Sequence, residues 1–600
     1  MLRQDRISTI KTEVSLPEVC DISGNPHVPI CDLNMTGVRA IVLSCMTLCI
    51  CLLGCGDGKS IPTSPRDVPT EQQASQSRIT FHDMTSASEV NSIYRTGREA
   101  GVYSIVESLG GGTGVFDYDH DGNVDLFFTG GGSLANAKVT GHPHRFFRNR
   151  PGTVFQEVSD VADISTARTY SQGCSMGDYD CDGFVDVIVT GFEGLQLFHN
   201  DGDGTFSEVH QSAQLNDALW SSSAAWGDLN RDGFPDLYIA HYVDWTFEND
   251  PECPSPWPEH EQDVCPPRVF SPLPDVVYFN DGNGAFRDGS KEANLRLDGK
   301  GLGVLIADLN HDTFPDVYVA NDMVDNFLYQ NDGSGRFEET GLLSGTAGDF
   351  EGRPNGSMGL AVCDYNGDLL PDLWVTNFEQ ETFALYRNDG DAGFVHASRE
   401  TGITAIGQLF VGFGTAMGDL DCDGDEDAVI SNGHVVYYPT VSAERQLPLL
   451  LQNYGEGRFV RDNSAPPDNY FSTPHAGRGL AIADVNNDGR LDIIAGHTNE
   501  PAAVLANISS IVGSWIRFHL IGTKSSRDAV GARVVLTTFG GQQLRHLSGG
   551  GSFQSQHDTR LHFGIPRDAK NMSATVYWPS GRVQKVDKIA AEQTNFIVEN

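Results

Sequence analysis

Seven times over, the chain passes from a run rich in small residues through an acidic turn into a short apolar run. The apolar runs are L-F-F-T after Asp125, V-I-V-T after Asp186, L-Y-I-A after Asp236, V-Y-V-A after Asp316, L-W-V-T after Asp372, A-V-I-S after Asp427 and I-I-A-G after Asp492. Rich in β-branched and aromatic types, they fit buried strands and not a helix face. The small-residue runs ahead of the turns include G-G-G-T-G-V-F, S-S-A-A-W-G, G-F-G-T-A-M-G and G-R-G-L-A-I-A. A third strand and a tight turn follow, as in L-Q-L-F-H-N-D-G-D-G-T-F, with counterparts ending at Phe286, Phe337, Phe394 and Phe459. The Asn-Asp-Gly turn leads into a fourth strand that begins at that Phe. Four antiparallel strands per unit, with small residues on the strand that crowds a central axis, predict an all-β chain folded as a seven-bladed β-propeller. The last unit has a third strand near Ala503 to Asn507 but no fourth, and an orphan strand at Ile79 to Met84 precedes the first unit. Pairing these two would close the ring.

The acidic turns share one grammar, with acids or amides at positions one, three, five and nine. The first is Asp117, Asp119, Asp121 and Asp125, with Gly122 at position six and Asn123 at seven, where a backbone carbonyl can ligate. The second is Asp178, Asp180, Asp182 and Asp186, and the third Asp228, Asn230, Asp232 and Asp236. The fourth is Asp308, Asn310, Asp312 and Asp316, and the fifth Asp364, Asn366, Asp368 and Asp372. The sixth is Asp419, Asp421, Asp423 and Asp427, and the seventh Asp484, Asn486, Asp488 and Asp492. Acids at alternate positions of a tight turn can converge on a hard cation that wants six to eight oxygens, so Ca2+ is the expected cofactor, at up to seven sites. Asp, Asn and Gly also favour turns without a metal, but seven copies of one acidic spacing argue against that. An EF-hand needs an acid at position twelve; here that position holds Phe128, Val189, Ile239, Val319, Val375, Ile430 and Ala495. The fourth and fifth turns carry Thr313 and Leu369 in place of glycine at position six, which predicts wider or weaker turns.

The formal net charge is −41, and much of it sits at these turns. It disfavours nucleic acid as a partner, because phosphate neutralisation needs a basic face. Residues 40–53 form an uncharged apolar run behind Arg39, of signal-peptide length and too short to span a membrane comfortably. The tetrad Leu52-Leu53-Gly54-Cys55 resembles a bacterial lipobox, which implies cleavage before Cys55 and lipidation of its thiol; a plain signal peptide cut elsewhere is the alternative. Residues 1–54 are therefore expected to be a gene-model extension and leader, and 55–78 a polar, proline-bearing tether. The propeller is expected over 79–507 and a small β domain over 508–600. The product would be exported and lipid-anchored to a bacterial membrane, facing the periplasm or cell surface, or secreted, and monomeric. Cys253 and Cys265 bracket a Pro-rich insert and are expected to pair in an oxidising compartment. Cys174, Cys181, Cys363 and Cys422 are expected to be small buried residues, since thiolate is too soft for calcium.

The repeated units resemble FG-GAP/VCBS repeats. The C-terminal stretch is similar to the ASPIC/UnbV domain through Trp515, R-D-A-V-G-A-R from Arg527, G-G-G-S-F-Q-S-Q ending at Gln556, L-H-F-G from Leu561 and W-P-S-G from Trp578. Domain order, the N-D-M at Asn321 to Met323 and the Cys-bracketed insert resemble the cartilage acidic protein family and its secreted bacterial relatives. The resemblance implies the fold and the calcium loops, but little about function, because propellers host unrelated activities. The C-terminal stretch itself reads as all β, and its Arg527, Asp528 and Gln556 could contact a ligand or fix turns.

The strand ends beyond the apolar runs offer a candidate ligand ring: His241, Asn321, Asn377, Asn432 and His497, with His434, Asp322 and Trp374 nearby. They could hold a sugar or a metal, or simply cap strand ends. No nucleophile elbow, zincin helix or phosphate loop is present in the sequence. The expected role is an extracytoplasmic binding or adhesion module for an extracellular protein or polysaccharide. The alternative is a polysaccharide-active enzyme, a lyase or hydrolase on the same scaffold.

Overall fold

Strand-forming runs separated by acidic and Asn-Gly turns leave each unit an antiparallel sheet that must bury both faces against neighbours. The computed structural model describes residues 79–600 apart from Glu456; the expected leader, lipobox, Cys55 and tether lie outside the described residues. Among the described residues, seven antiparallel sheets have the four-strand order of propeller blades. The second sheet is typical, with Tyr170–Gly177 innermost, then Asp186–Phe192, Gly194–Asn200 and Phe206–Glu208. The other innermost strands are Thr113–Phe116, Ser221–Gly227, Gly301–Ala307, Ser357–Cys363, Gly412–Gly418 and Gly477–Ala483. Each touches the innermost strand of the sheet before and after it, and the seventh touches the first. The orphan strand Phe81–Asp83 completes the last sheet, with Phe81 opposite Asn507 and Asp83 opposite Leu505. Apolar clusters fill the wedges between sheets, one joining Val115, Leu126 and Phe147 of the first to Ile494 and Val504 of the seventh.

The C-terminal residues fold on a core of their own. A three-stranded sheet (Leu561–Ile565, Ser514–Ile521, Thr594–Val598) packs with a four-stranded one (Gly541–His546, Arg533–Thr538, Ser573–Tyr577, Val583–Val586) around Ile516, Phe518, Val534, Phe563 and Trp578.

From this domain the segment Gly549 to Gln556 enters the centre of the ring and touches all seven sheets. Gly549 and Gly550 pair with Ile306 and Leu305 of the fourth sheet, and Ser552 exchanges backbone bonds of 2.6 and 2.9 Å with Leu360 of the fifth. The Ser552 hydroxyl accepts from Thr415 N of the sixth and donates to Leu480 O of the seventh. Cys174 N of the second donates to Gln554 O, and Thr113 N of the first to the Ser555 hydroxyl. A Cβ on Gly549 would lie 2.0 Å from Trp226 O of the third sheet, so only glycine fits there. Phe553 reaches the far end, its ring 4.8 Å from that of Phe413.

That far end is closed by inserts. Cys253 and Cys265 are joined in a disulfide, and the insert they bracket reaches from the third sheet to the segment between the second and third strands of the sixth, Asp427–Asn432 and Leu449–Asn453. Asp263 accepts from Tyr437 N and Tyr438 N at 2.9 and 3.1 Å, and His260 stacks on Tyr438 at 3.6 Å. Tyr437 donates in turn to Glu107, in the segment that leads into the first sheet, 2.8 Å away. Beneath lie Trp220, Trp245, Phe270, Phe413 and Phe553.

The close approach at Gly549 yields a test. Gly549→Ala is expected to unseat the segment, and amide exchange at Leu305, Ile306 and Leu360 should accelerate relative to the unaltered protein. Unchanged protection at those amides would show that the segment does not depend on this approach.

Candidate metal centres

In every acidic turn the carboxylate at position one is fixed by the N–H of position six. Its Oδ2 accepts from Gly122, Gly183, Gly233, Thr313, Leu369, Gly424 and Gly489 at 2.7–3.2 Å. Oδ1 of position five accepts from the N–H of position seven in the same seven turns, from Asn123 to Arg490. The expectation of wider fourth and fifth turns is corrected here. Thr313 and Leu369 adopt φ of 74° and 68°, the left-handed region that the glycines occupy elsewhere, and make the same hydrogen bond. Those two turns hold the shared shape at the cost of local strain, of order 1–3 kcal/mol each.

The carboxylate at position nine closes the turn from below. In the second turn, Asp186 Oδ2 accepts from Tyr179 N at 3.1 Å and Oδ1 from Asn200 N at 2.8 Å. The Asn200 side chain then donates both to Val185 O of its own turn and to Tyr118 O of the turn before. The link to the previous turn recurs in all seven sheets: Asn149 to Val485, Asn280 to Tyr179, Asn331 to Leu229, Asn388 to Leu309, Asn453 to Tyr365 and Asn507 to Leu420. By local propensity the Asn of Asn-Asp-Gly is a turn former. The signal against that was present, since Asn149, Asn453 and Asn507 keep the position where no Asp-Gly follows.

These turns suit a hard cation on two counts. Ligand oxygens converge: one oxygen from each of Asp117, Asp119 and Asp125 lies within 4.8 Å of the others, as do those of Asp178, Asp180 and Asp186 and of Asp419, Asp421 and Asp427. Buried oxygens also lack hydrogen-bond partners among the described residues, namely Oδ1 of Asp119, Asp178, Asp308 and Asp364 and Oδ2 of Asp372. Burial raises Asp178 to about 8 and Asp364 to about 7, each pushed further by a neighbouring carboxylate. Asp372 rises to about 9, again chiefly by burial. Carboxylates crowded in this way hold their charge readily only beside a cation. The donor set is all oxygen, which fits Ca2+ and not a soft metal. Cys174, Cys363 and Cys422 are buried and Cys181 half-buried, all four unbridged, and burial raises each thiol.

The C-terminal domain sits on these turns through arginines. Arg517 Nη1 is 3.0 Å from Asp484, Arg527 Nε is 3.4 Å from Asp178, and Arg533 pairs with Asp308. Arg545 pairs at 3.4 Å with Glu426, which accepts from Asp364 N at 2.8 Å. Asp528 accepts from Asp178 N at 2.7 Å, and Gln556 accepts from the Ser175 hydroxyl. Thus Arg527, Asp528 and Gln556 fasten the two parts together.

The candidate ligand ring at the other strand ends does not form an open surface. His241, Asn321, Asn377, Asn432 and His497 are all at most 2% exposed. His241 bonds Asp217 at 2.8 Å and Pro274 O at 2.5 Å, and His497 bonds the Tyr470 hydroxyl and Pro501 O. The side-chain amides of Asn321, Asn377 and Asn432 donate to Asp325 O, Thr382 O and Leu447 O. Nearby, His434 lies 3.4 Å from Glu379, Asp322 accepts from the Tyr242 hydroxyl and the Trp374 indole donates to Thr415. The arrangement is one of strand-end caps under the inserts. His475, His497 and Glu500 bring ligand atoms within 4.8 Å, but both nitrogens of His497 are already engaged.

Comparison with known proteins agrees with the repeats and the C-terminal domain. Residues 117–189, 178–239, 308–375 and 364–430 match the FG-GAP-like repeat, and residues 522–600 match the family described as ASPIC and UnbV. Cartilage acidic protein 1 of Mus musculus is 24% identical over 516 residues, covering 81% of this chain and 73% of the relative. The Homo sapiens protein of that name is also 24% identical, over 81% of this chain and 71% of its own. Among solved structures, a lectin of Agrocybe aegerita overlaps 62% of this chain and 88% of its own at 15% identity and a TM-score of 0.36. The rhamnogalacturonan lyase YesW overlaps 67% and 72% at 14% identity and a TM-score of 0.35. Both overlaps are too loose to carry function. The chain is a distant homologue of cartilage acidic protein 1, built of FG-GAP-like repeats followed by a C-terminal ASPIC and UnbV domain.

Proposed function

We propose that this chain is a calcium-held, seven-bladed β-propeller that works outside the cytoplasm as a monomeric binding or adhesion module for a protein or polysaccharide. The division of labour between its two faces carries the reading. The C-terminal domain covers the acidic turns and fills the centre of the ring, while the segment leading into the first sheet joins the inserts of the third and sixth in one surface at the other end. That surface carries exposed apolar side chains, Trp257 and Val269 among them. Recognition is assigned to it.

The seven calcium sites would be held by the position-one, -three, -five and -nine side chains and the position-seven carbonyl of each turn. When bound, calcium supplies two positive charges and collects oxygens that hydrogen bonds leave over. The Cys253–Cys265 bridge supports export, since disulfides persist in oxidising compartments, and the net charge of −41 argues against a nucleic-acid partner. The leader over 1–54, the lipid on Cys55 and the tether over 55–78 complete the proposal.

Excess chelator is expected to lower the melting temperature markedly, because an ion bound only by the folded state stabilises it by mass action. An unchanged melting curve, with no metal by elemental analysis, would refute the calcium reading. Asp121→Ala should lower the bound calcium by one site and leave the fold intact. Asn280→Ala leaves two buried carbonyls without donors and should cost about 2–4 kcal/mol in urea unfolding; a loss within error would remove the asparagine link from the account. A glycan array paired with a reducing-end release assay tests the role: binding without release supports the module, whereas release supports the polysaccharide-active alternative.

A further inference from the structure

A second site lies on the covered face, where the first two acidic turns meet the C-terminal domain. A cavity of about 470 Å³ opens there, within the range of small-molecule sites. One part of its lining is apolar: Phe116 and Met176 from the ring, Leu520 and Ile521 from the domain. At its edge stands Phe596, 66% exposed, with the His519 ring 5.3 Å away. An aromatic ring this open on a folded domain is ready to take the C–H face of another ring.

The polar part has donors to offer. Arg527 lines the cavity with its side chain 45% exposed. It pairs with Asp178 through Nε at 3.4 Å, and among the described residues its Nη atoms take no hydrogen-bond partner. Arg560, whose side chain is 9% exposed, lines the same space and is oriented by Asp558 at 2.8 and 3.0 Å. Thr559, which is exposed, and His120 add hydroxyl and imidazole groups around the rim, while the Asn487 amide beside them is engaged with Gly122 O, Asn123 and Arg517. His120 Nε2 is engaged with Gly183 O at 2.8 Å, which leaves Nδ1 for another partner.

We propose that this cavity binds a carboxylate-bearing sugar ring of the uronic acid class. A guanidinium edge matches a carboxylate in plane and charge, the exposed Phe596 matches the apolar face of a pyranose, and the rim matches its hydroxyls. Asp178 is the acid that pairs with Arg527 and is also the position-one residue of the second turn, while Asp117, Asp528 and Asp558 stand in the same lining. That pair is made through Nε and the Oδ2 that Gly183 N–H also holds, so Arg527 can keep Asp178 and offer its Nη edge to a ligand at the same time, with or without a cation in the second turn. Because Arg527, Arg560 and Phe596 belong to the C-terminal domain and Phe116, Met176 and His120 to the ring, the site exists only while the two are docked.

The test uses the full chain with calcium, titrated by calorimetry with D-galacturonate, galactose and acetate as probes. Galacturonate is expected to bind more tightly than either of the others. Arg527→Gln should weaken it about tenfold or more, and Phe596→Ala, an exposed position that leaves the fold intact, several-fold. Galacturonate held no better than galactose, or equally well by both variants, overturns the inference. Chelator melting curves of the same samples read the calcium sites separately: a melting shift with no uronate preference sinks this site and leaves the calcium reading standing.

Discussion

An asparagine at the end of each third strand holds two neighbouring sheets together, and the ring depends on that link. In the second sheet Asn200 receives Asp186 at its backbone N–H and sends its side-chain amide to its own turn and to Tyr118 of the turn before. The same residue type does this seven times, the last link running from Asn149 of the first sheet back to Val485 of the seventh. Sheets wedged around an axis have apolar faces that slide, since burial of area is non-directional. Directional bonds to buried carbonyls remove that freedom, because an orphaned carbonyl is expensive. The acidic turn is thus a joint as well as a candidate ion site: position nine orients the asparagine, and the asparagine fixes the adjacent turn.

The centre of the ring imposes a second constraint. Seven innermost strands converging on an axis leave backbone N–H and C=O groups facing a narrow channel. Gly549 to Gln556 satisfies groups on Thr113, Cys174, Leu360, Thr415 and Leu480, and its glycines allow the approach. Small residues on the innermost strands serve two ends, crowding the axis and admitting this segment. The C-terminal domain is therefore part of the ring's interior, a dependence that a bead-like picture of repeats plus an added domain misses.

The repeat architecture was legible in the sequence because it is periodic. Alternate acids, apolar runs and N-D-G-x-G-x-F marks fixed the strands, and the orphan strand at Phe81 found its partner at Asn507. Cys253 and Cys265 were legible from their placement around an insert without a core. What escaped was long-range and aperiodic. G-G-G-S-F-Q-S-Q reads locally as a turn; only the channel explains why its serines and glutamines are buried. His241 and His497 cap strand ends, the plainer of the two roles their positions allow, and the inserts that bury them are aperiodic. Propensity alone disfavours Thr313 and Leu369 at position six, and only the surrounding bonds show how their left-handed backbone is held in place.

The arginines of the C-terminal domain decide how docking and ion binding relate. At Asp178 the Arg527 pair and the Gly183 N–H both fall on Oδ2, and Oδ1 has no hydrogen-bond partner among the described residues. Asp308 repeats the arrangement, with Arg533 and Thr313 N on Oδ2 and Oδ1 left over. Had the arginines taken both oxygens, domain and cation would compete for one charge. Because each carboxylate keeps a separate edge for each, the two can be held together, and the arginine anchors the oxygen that would not coordinate. Docking then pre-orders the turn, and a cation in the turn in turn restrains the carboxylate that the arginine grips. By linkage, the free energy each gains from the other is shared equally between them.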